Sequence, residues 1–402
     1  MQPASAAWPD PVSRVVEAVQ TFGCDAGRPR AMIGVGVKSG RGWLLLLLPL
    51  VLACGVRPTA ITECIAADGV TPICGFENPE DLAPLPGASW IVVSQFAGWQ
   101  AGDRGSLVAY RVADGRKRTL YPTSELGGSE APAWGSPDCP GPPDPAGFAP
   151  HGIDVDLRTQ RLAAVVHGAR EAVELFEIGQ SRAGPVLRWR GCVVMPEGVG
   201  INDVAFLPDG GFVVTKMFSL GGFAQLVSMA RMLVGATSGH LLEWHPGAGL
   251  RQVPGSEGRA PNGVAASPDG RELYFAEWGG AGLVRLRRHA DGSVERASVE
   301  LGHHPDNITW TRDGRLLVTG QIGRIGELFA CGSTEVGTCR LPFSVYRVEP
   351  ASLDAQLVLE HPATAQGAGT VALEVGDEIF IGTFDGDRIA RAALRRPRVW
   401  RE

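Results

Sequence analysis

Apolar residues in this chain come in short runs that break at turns, and the runs repeat. Ile201-Asn202-Asp203 opens one run, read as VAFLPDG; Pro261-Asn262-Gly263 opens VAASPDG, and Pro305-Asp306-Asn307 opens ITWTRDG. Period-two alternation shows in Leu273-Tyr274-Phe275-Ala276-Glu277-Trp278 and in Leu316-Leu317-Val318-Thr319-Gly320, the pattern of half-buried strands. Three further polar or glycine-containing openings lead through strand, turn and strand. They are Pro79-Glu80-Asp81 before LAPLPGASWIVVS, Pro150-His151-Gly152-Ile153 before DVDLRTQRLAAVVH, and Gly367-Ala368-Gly369-Thr370 before VALEVGDEIFIGTF. Units spaced at roughly 45 to 70 residues match a four-stranded propeller blade with variable outer loops. The pattern therefore predicts an all-β fold, a six-bladed β-propeller. A β-sandwich or a tandem pair of β domains is the competing arrangement, and similar units without a composition break argue against it.

One region departs from the strand pattern. Residues 218–236, FSLGGFAQLVSMARMLVGA, are apolar with helical spacing at Phe223, Leu226, Val227, Met229, Ala230 and Leu233. They predict a short helical insertion, lying over the face with the polar openings or packed on a blade edge.

The N-terminal pattern is of another kind. From Met32 a basic stretch with Lys38 and Arg41 precedes an apolar core from Trp43 to Leu52. That core is too short to span a bilayer, so residues 1–54 are read as a signal peptide, with translation starting at Met32. Val51-Leu52-Ala53-Cys54 looks like a bacterial lipoprotein box, with Cys54 as the lipidated residue; an ordinary signal peptide or a signal anchor is the alternative. The expected organisation is leader 1–54, linker 55–74 and propeller 75–402. The protein is expected to be exported to the periplasm or cell envelope and membrane-associated through the lipid.

Composition agrees. The chain has 402 residues, 44% apolar and 20% charged, which is ordinary for a globular protein, and its 54 Gly and 30 Pro favour many turns. A net charge of -6 without a basic block argues against a nucleic-acid partner. Export makes disulfides expected among Cys64, Cys74, Cys139, Cys192, Cys331 and Cys339. Cys64/Cys74 and Cys331/Cys339 are close enough for local staples, but the sequence does not choose the pairing. The absence of CxxC spacing disfavours zinc and thiol redox chemistry.

In a propeller the first strand of each blade lines the central channel, so polar residues at its start converge on the axis. Glu80, Asn202, Asn262, Asp306 and Asn307 would supply carboxylate and amide oxygens, hard donors whose charge balances one Ca²⁺. Soft ligands are lacking there, which disfavours zinc and copper. An isolated Asn or Asp is usually a turn cap; recurrence across blades is what raises these five.

The segments PED, FAPHGI, VVH, VELFEI, IND, PNGVAASPDG, PDN and IFIGTF, in this order over residues 75–390, resemble the serum paraoxonase/arylesterase family of calcium-dependent lactonases. The likeness to gluconolactonase and strictosidine-synthase-like propellers is more distant. The resemblance implies two calcium ions. Glu80, Asn202, Asn262, Asp306 and Asn307 would hold a catalytic ion, and Asp81, Asp203 and the carbonyl of Ile153 a structural one. It also implies His151 as general base, with His167 as its partner, although the local alignment there is shorter by about two residues.

The implied activity is hydrolysis of a lactone or aryl ester, the small-molecule substrate, with a water activated by His151 and the carbonyl polarised by Ca²⁺. No GxSxG nucleophile elbow is present, which disfavours a serine hydrolase. The chain departs from the family at Gln321, where a histidine is expected, and at Lys216-Met217, where the family has Asp-His. It also lacks a cysteine near the C-terminus to close the ring. His303 and His304 could supply a substitute imidazole, with a solvated loop pair as the plainer expectation. The alternatives are a non-catalytic, calcium-stabilised propeller that binds a ligand or protein on its top face, and a strictosidine-synthase-like condensing enzyme, which would leave the two-calcium pattern unused.

Overall fold

The computed structural model describes residues 59–394 apart from 88, 97, 99–103, 124–133, 333 and 335, together with the backbone of Val37–Ser39 and Gly42–Leu44. Those two short strands pair antiparallel with each other. The expected leader, including Cys54, otherwise lies outside the described residues.

Six sheets form the body, each built on four antiparallel strands. The innermost strands are Pro79–Pro84, Phe148–Asp156, Val199–Phe206, Pro261–Ala266, His304–Trp310 and Gly369–Val375, defining blades 1 to 6. Trp134–Gly135 adds a parallel edge strand to blade 2, Thr338–Cys339 leaves the order of blade 5 to pair with Ala60–Ile61, and blade 6 takes its outer strand from the start of the chain. Each innermost strand packs on the next, and the sixth packs on the first, so the ring closes. The fold is the expected six-bladed propeller with two short helices.

Closure comes from a segment expected to be linker. Val70–Cys74 is the outer strand of blade 6, paired antiparallel with Arg388–Ala393. Backbone hydrogen bonds thus join the chain's first propeller strand to its last, where the family resemblance would have led one to look for a cysteine.

Six apolar clusters lie between adjacent blades. Trp90, Phe148 and Phe176 fill the gap between blades 1 and 2, and Phe380 and Tyr110 that between blades 6 and 1. These strands read as near-continuous apolar runs because both faces of every blade are covered, which is the main driving force for the stack. A seventh cluster sits at one end of the propeller. It holds Met217, Met232, Trp278, Leu328, Cys331 and Leu341.

The predicted insertion is helix α1, Gly222–Leu233, preceded by Gly221 and Gly222 at positive φ. It turns Met232 inward onto the seventh cluster, buries Ser228 with its hydroxyl accepting from Ser219 N, and leaves Phe223, Leu226 and Leu233 exposed. Helix α2, Ile325–Ala330, buries Leu328 in the same cluster.

All six cysteines expected to pair do so. Cys64–Cys74 and Cys331–Cys339 are the local staples, and Cys139–Cys192 ties the loop before blade 2 to its outer strand. Three disulfides fit an oxidising compartment.

Candidate functional site

The polar openings share a structural cause. Every innermost strand slips register against its neighbour at the polar residues, between Pro79 and Asp81, Pro150 and Ile153, Ile201 and Val204, Pro261 and Val264, Pro305 and Ile308, and Gly369 and Ala372. A bulge of this kind loosens the ladder and re-aims side chains. Glycine makes the inner strands fit together: a Cβ at Gly152 would lie 2.3 Å from Asp203 Oδ1, and one at Gly263 2.3 Å from the Asp306 carbonyl oxygen.

The five residues expected around the catalytic ion are all buried, at 1% to 5% exposure. Their side chains divide their atoms in a consistent way. Asn307 Nδ2 donates to Glu80 Oε1 at 2.7 Å, Asn202 Nδ2 donates to Met217 Sδ at 3.5 Å, and the Asn262 side chain is hydrogen-bonded to Asp306. Gln321 Nε2 donates to Asp306 Oδ2 at 2.6 Å and is itself held by Trp278 Nε1 on its Oε1. What is left over is oxygen only. Glu80 Oε2, Asn202 Oδ1, Asn262 Oδ1 and Asn307 Oδ1 are buried with no hydrogen-bond partner. Burying such an acceptor unpaired costs about 1–3 kcal/mol, and four such oxygens make a cradle that a hard cation could occupy.

Charge points the same way. Burial, then Asp81, Asp306 and Asp203, push the Glu80 carboxyl well above its usual range, opposed by the bond from Asn307. Burial raises Asp306 to about 7 against the bonds from Gln321 and Asn262. A cation bound among them would favour the charged carboxylates and so oppose these shifts.

Asp81 and Asp203 behave differently. Asp81 accepts from Leu82 N and, across to blade 2, from Ile153 N, both at 2.7 Å. Asp203 accepts from Val204 N and, across to blade 3's neighbour, from Val264 N, both at 2.7 Å. The sequence reading overlooked Asp154, which bridges Val155 N and Phe206 N in the same manner. These carboxylates staple successive inner strands. Burial raises Asp81 to about 7 and Asp154 to about 6, and burial with the nearby Asp81 charge raises Asp203 well above its usual range.

His151 is 5% exposed and stacks on Phe96 at 4.7 Å between ring centroids. Its Nδ1 lies 3.0 Å from His167 Nε2, and its Nε2 lies 3.8 Å from Glu80 Oε1. Burial and the adjacent His167 hold its pKa well below the usual histidine value, which keeps the ring neutral. His167 Nδ1 is 2.8 Å from Glu171 Oε1. His151 thus sits beside Glu80, at the end of a hydrogen-bonded line.

The departures find uses. Gln321 orients Asp306, and Met217, by accepting from Asn202 Nδ2, turns the amide oxygen away from itself. Lys216 Nζ donates to Ser219 Oγ. His303 and His304 are not a solvated pair: His303 is 2% exposed against Ser344 Oγ, and both His304 ring nitrogens face the carbonyls of Trp278 and Gly323. Because Met217 and Trp278 belong to the seventh cluster, an apolar wall under α1 and α2 adjoins the cradle.

No protein-family model matches the chain, and no curated protein does. Among solved structures, a gluconolactonase from Xanthomonas campestris is 18% identical, with 85% of this chain and 96% of that chain covered and a TM-score of 0.49. A luciferin-regenerating enzyme is 11% identical over 81% of this chain and 94% of that one, also at 0.49. The calcium-binding protein regucalcin from Agrobacterium tumefaciens is 13% identical over 81% and 93%, at 0.43.

Proposed function

We propose that this chain is a calcium-dependent hydrolase of lactones or aryl esters. The observation that carries it is the set of four buried oxygens without partners, on Glu80, Asn202, Asn262 and Asn307, beside the neutral His151. With Asp306 these residues would hold the ion, and a bound Ca²⁺ would polarise the substrate carbonyl as a Lewis acid. His151 Nε2 takes a proton from water, which becomes the nucleophile, and later returns it to the leaving oxygen. Phe96 keeps the imidazole in place by stacking. The apolar residues Met217 and Trp278 exclude water and offer a surface to an acyl chain or aryl ring.

A second ion belongs to the same proposal. Asp81 and Asp203 are like charges in mutual range, and each of their oxygens keeps a lone pair beyond its single N–H bond. With the Ile153 carbonyl they would hold a structural calcium, two ions in all. Export with lipidation at Cys54 completes the reading, and Cys54→Ser with membrane fractionation tests it: a protein found in the membrane fraction regardless of that change is not anchored there by the lipid.

The decisive assay is a screen of γ- and δ-lactones and phenyl acetate with and without chelator. Turnover that persists after complete calcium removal overturns the mechanism. His151→Gln separates this reading from the non-catalytic ligand-binding propeller: the hydrolase loses turnover while calcium stays bound, whereas unchanged turnover takes His151 out of the chemistry.

A further inference from the structure

The line that begins at His151 does not stop at His167. Glu171 lies in the hairpin between the second and third strands of blade 2, and its Oε1 is 2.8 Å from His167 Nδ1. Its Oε2 accepts from Ile201 N at 3.4 Å, the residue before Asn202 of the cradle. The reading of the sequence gave Glu171 no role, and the resemblance assigns it none.

We propose that Glu171 is the positioning residue that fixes the tautomers of both histidines, and so presents His151 to the cradle as a base. The argument is one of donors and acceptors. An ionised carboxylate only accepts, so His167 must carry its proton on Nδ1 to satisfy the 2.8 Å contact. Neutral His167 then has a lone pair on Nε2, and the 3.0 Å contact to His151 Nδ1 requires that atom to donate. His151 Nε2 is thereby left unprotonated, and it is the nitrogen on the Glu80 side. Without a fixed acceptor at Glu171, His167 can hold its proton on Nε2 instead. His151 Nδ1 must then accept, and the proton of His151 moves to Nε2, where it abolishes the base.

Glu171 also determines where positive charge rests during turnover. When His151 Nε2 takes a proton from water, its Nδ1 proton can pass to His167 Nε2. His151 returns to neutrality in the other tautomer, and His167 becomes an imidazolium paired with Glu171. His151 is almost fully buried, whereas the side chains of His167 and Glu171 are 19% and 20% exposed. The charge therefore sits at the wetter end, against a carboxylate. The proton retraces the path to the leaving oxygen, so no net proton is retained.

This inference deepens the hydrolase reading and rests on it for the catalytic consequence, but the tautomers are measurable without any substrate. The experiment uses the calcium-loaded protein with ¹⁵N-labelled histidine, observing long-range ¹⁵N–¹H correlations at neutral pH. Wild type is expected to show protonated Nδ1 on both His151 and His167. Glu171→Ala should shift both toward protonated Nε2 and lower kcat for a lactone or aryl ester by about tenfold or more, with KM little changed. Glu171→Gln keeps an acceptor oxygen but not the charge; it should retain the tautomers while losing part of kcat and changing the pH profile. A merely structural Glu171 would move none of these signals selectively. Protonated Nε2 on His151 in wild type, or tautomers unaltered in Glu171→Ala, overturns the assignment. The expected tautomers in a protein that hydrolyses nothing uphold the Glu171 assignment and remove the hydrolase reading instead.

Discussion

Glu80 and Asp81 are neighbours on one strand, as are Asn202 and Asp203, yet within each pair the two side chains are in opposite states. Asp81 and Asp203 have both carboxylate oxygens bonded to backbone N–H groups, one of them on the next blade. Glu80 and Asn202 each keep a buried oxygen with nothing to accept from. The bulge at each strand start turns consecutive residues to different uses. One side chain closes the ring of blades, and the next faces the axis with its oxygen unspent. The paired carboxylates link neighbouring blades, and the unpaired oxygens are the ones proposed to hold the catalytic ion.

Calcium removal should break the comparison most severely. Chelation is expected to abolish ester and lactone turnover, and Asn262→Ala to lower calcium affinity, read by titration calorimetry, while leaving the chelated protein's stability nearly unchanged. A large loss of stability in chelated Asn262→Ala would mean that its oxygen is not orphaned.

Asp203→Ala should act on stability even with calcium removed. It strands two buried N–H groups and unlinks blades 3 and 4, and the expected cost is about 1–3 kcal/mol for each stranded group, measured by denaturant unfolding in chelator. A change below about 1 kcal/mol would show that the staple contributes little.

The pH dependence of the metal-free protein comes next. Asp81 and Asp306 are raised to about 7 and Asp154 to about 6 in the folded state, above the ordinary unfolded value near 4. Through these three carboxyls the folded state binds more protons than the unfolded state between those values, so the stability they contribute is fully present below about pH 4 and is lost as pH rises toward 7; His151, with its pKa lowered, acts in the opposite sense below about pH 6.5. Each unit of such a shift corresponds to about 1.4 kcal/mol. Melting curves in chelator should show Tm falling over that interval, and calcium should remove most of the slope. A chelated Tm that rises from pH 4 to 7 contradicts this.

The smallest effect concerns Met217. Met217→Leu keeps the volume and removes the sulfur acceptor of Asn202 Nδ2, so calcium affinity should weaken by less than about tenfold. An unchanged affinity would show that packing alone orients Asn202.

The blades were legible because each writes its own strand and turn signals locally, and six copies reinforce one another. The cradle residues were legible for the same reason: a polar dipeptide before each strand stands out against apolar runs. Glu171 was not. It is an ordinary Glu in a hairpin, and only the distance to His167 gives it meaning. Asp154 was missed because Asp-Val-Asp reads as alternation, although its carboxylate bridges to blade 3. Gln321 read as a loss, and in place it is the group that holds Asp306.

Sequence by itself determined the blade count, the helical insertion and the residue types that open each inner strand, because hydrophobic period and turn chemistry act over a few residues. Tertiary structure alone decided that Val70–Cys74 completes blade 6, which cysteines pair, and which oxygens of Glu80, Asn202, Asn262 and Asn307 are left unbonded. Those outcomes depend on contacts between blades far apart in the chain, where one bulged strand sets the position of the next and no local pattern records the distance.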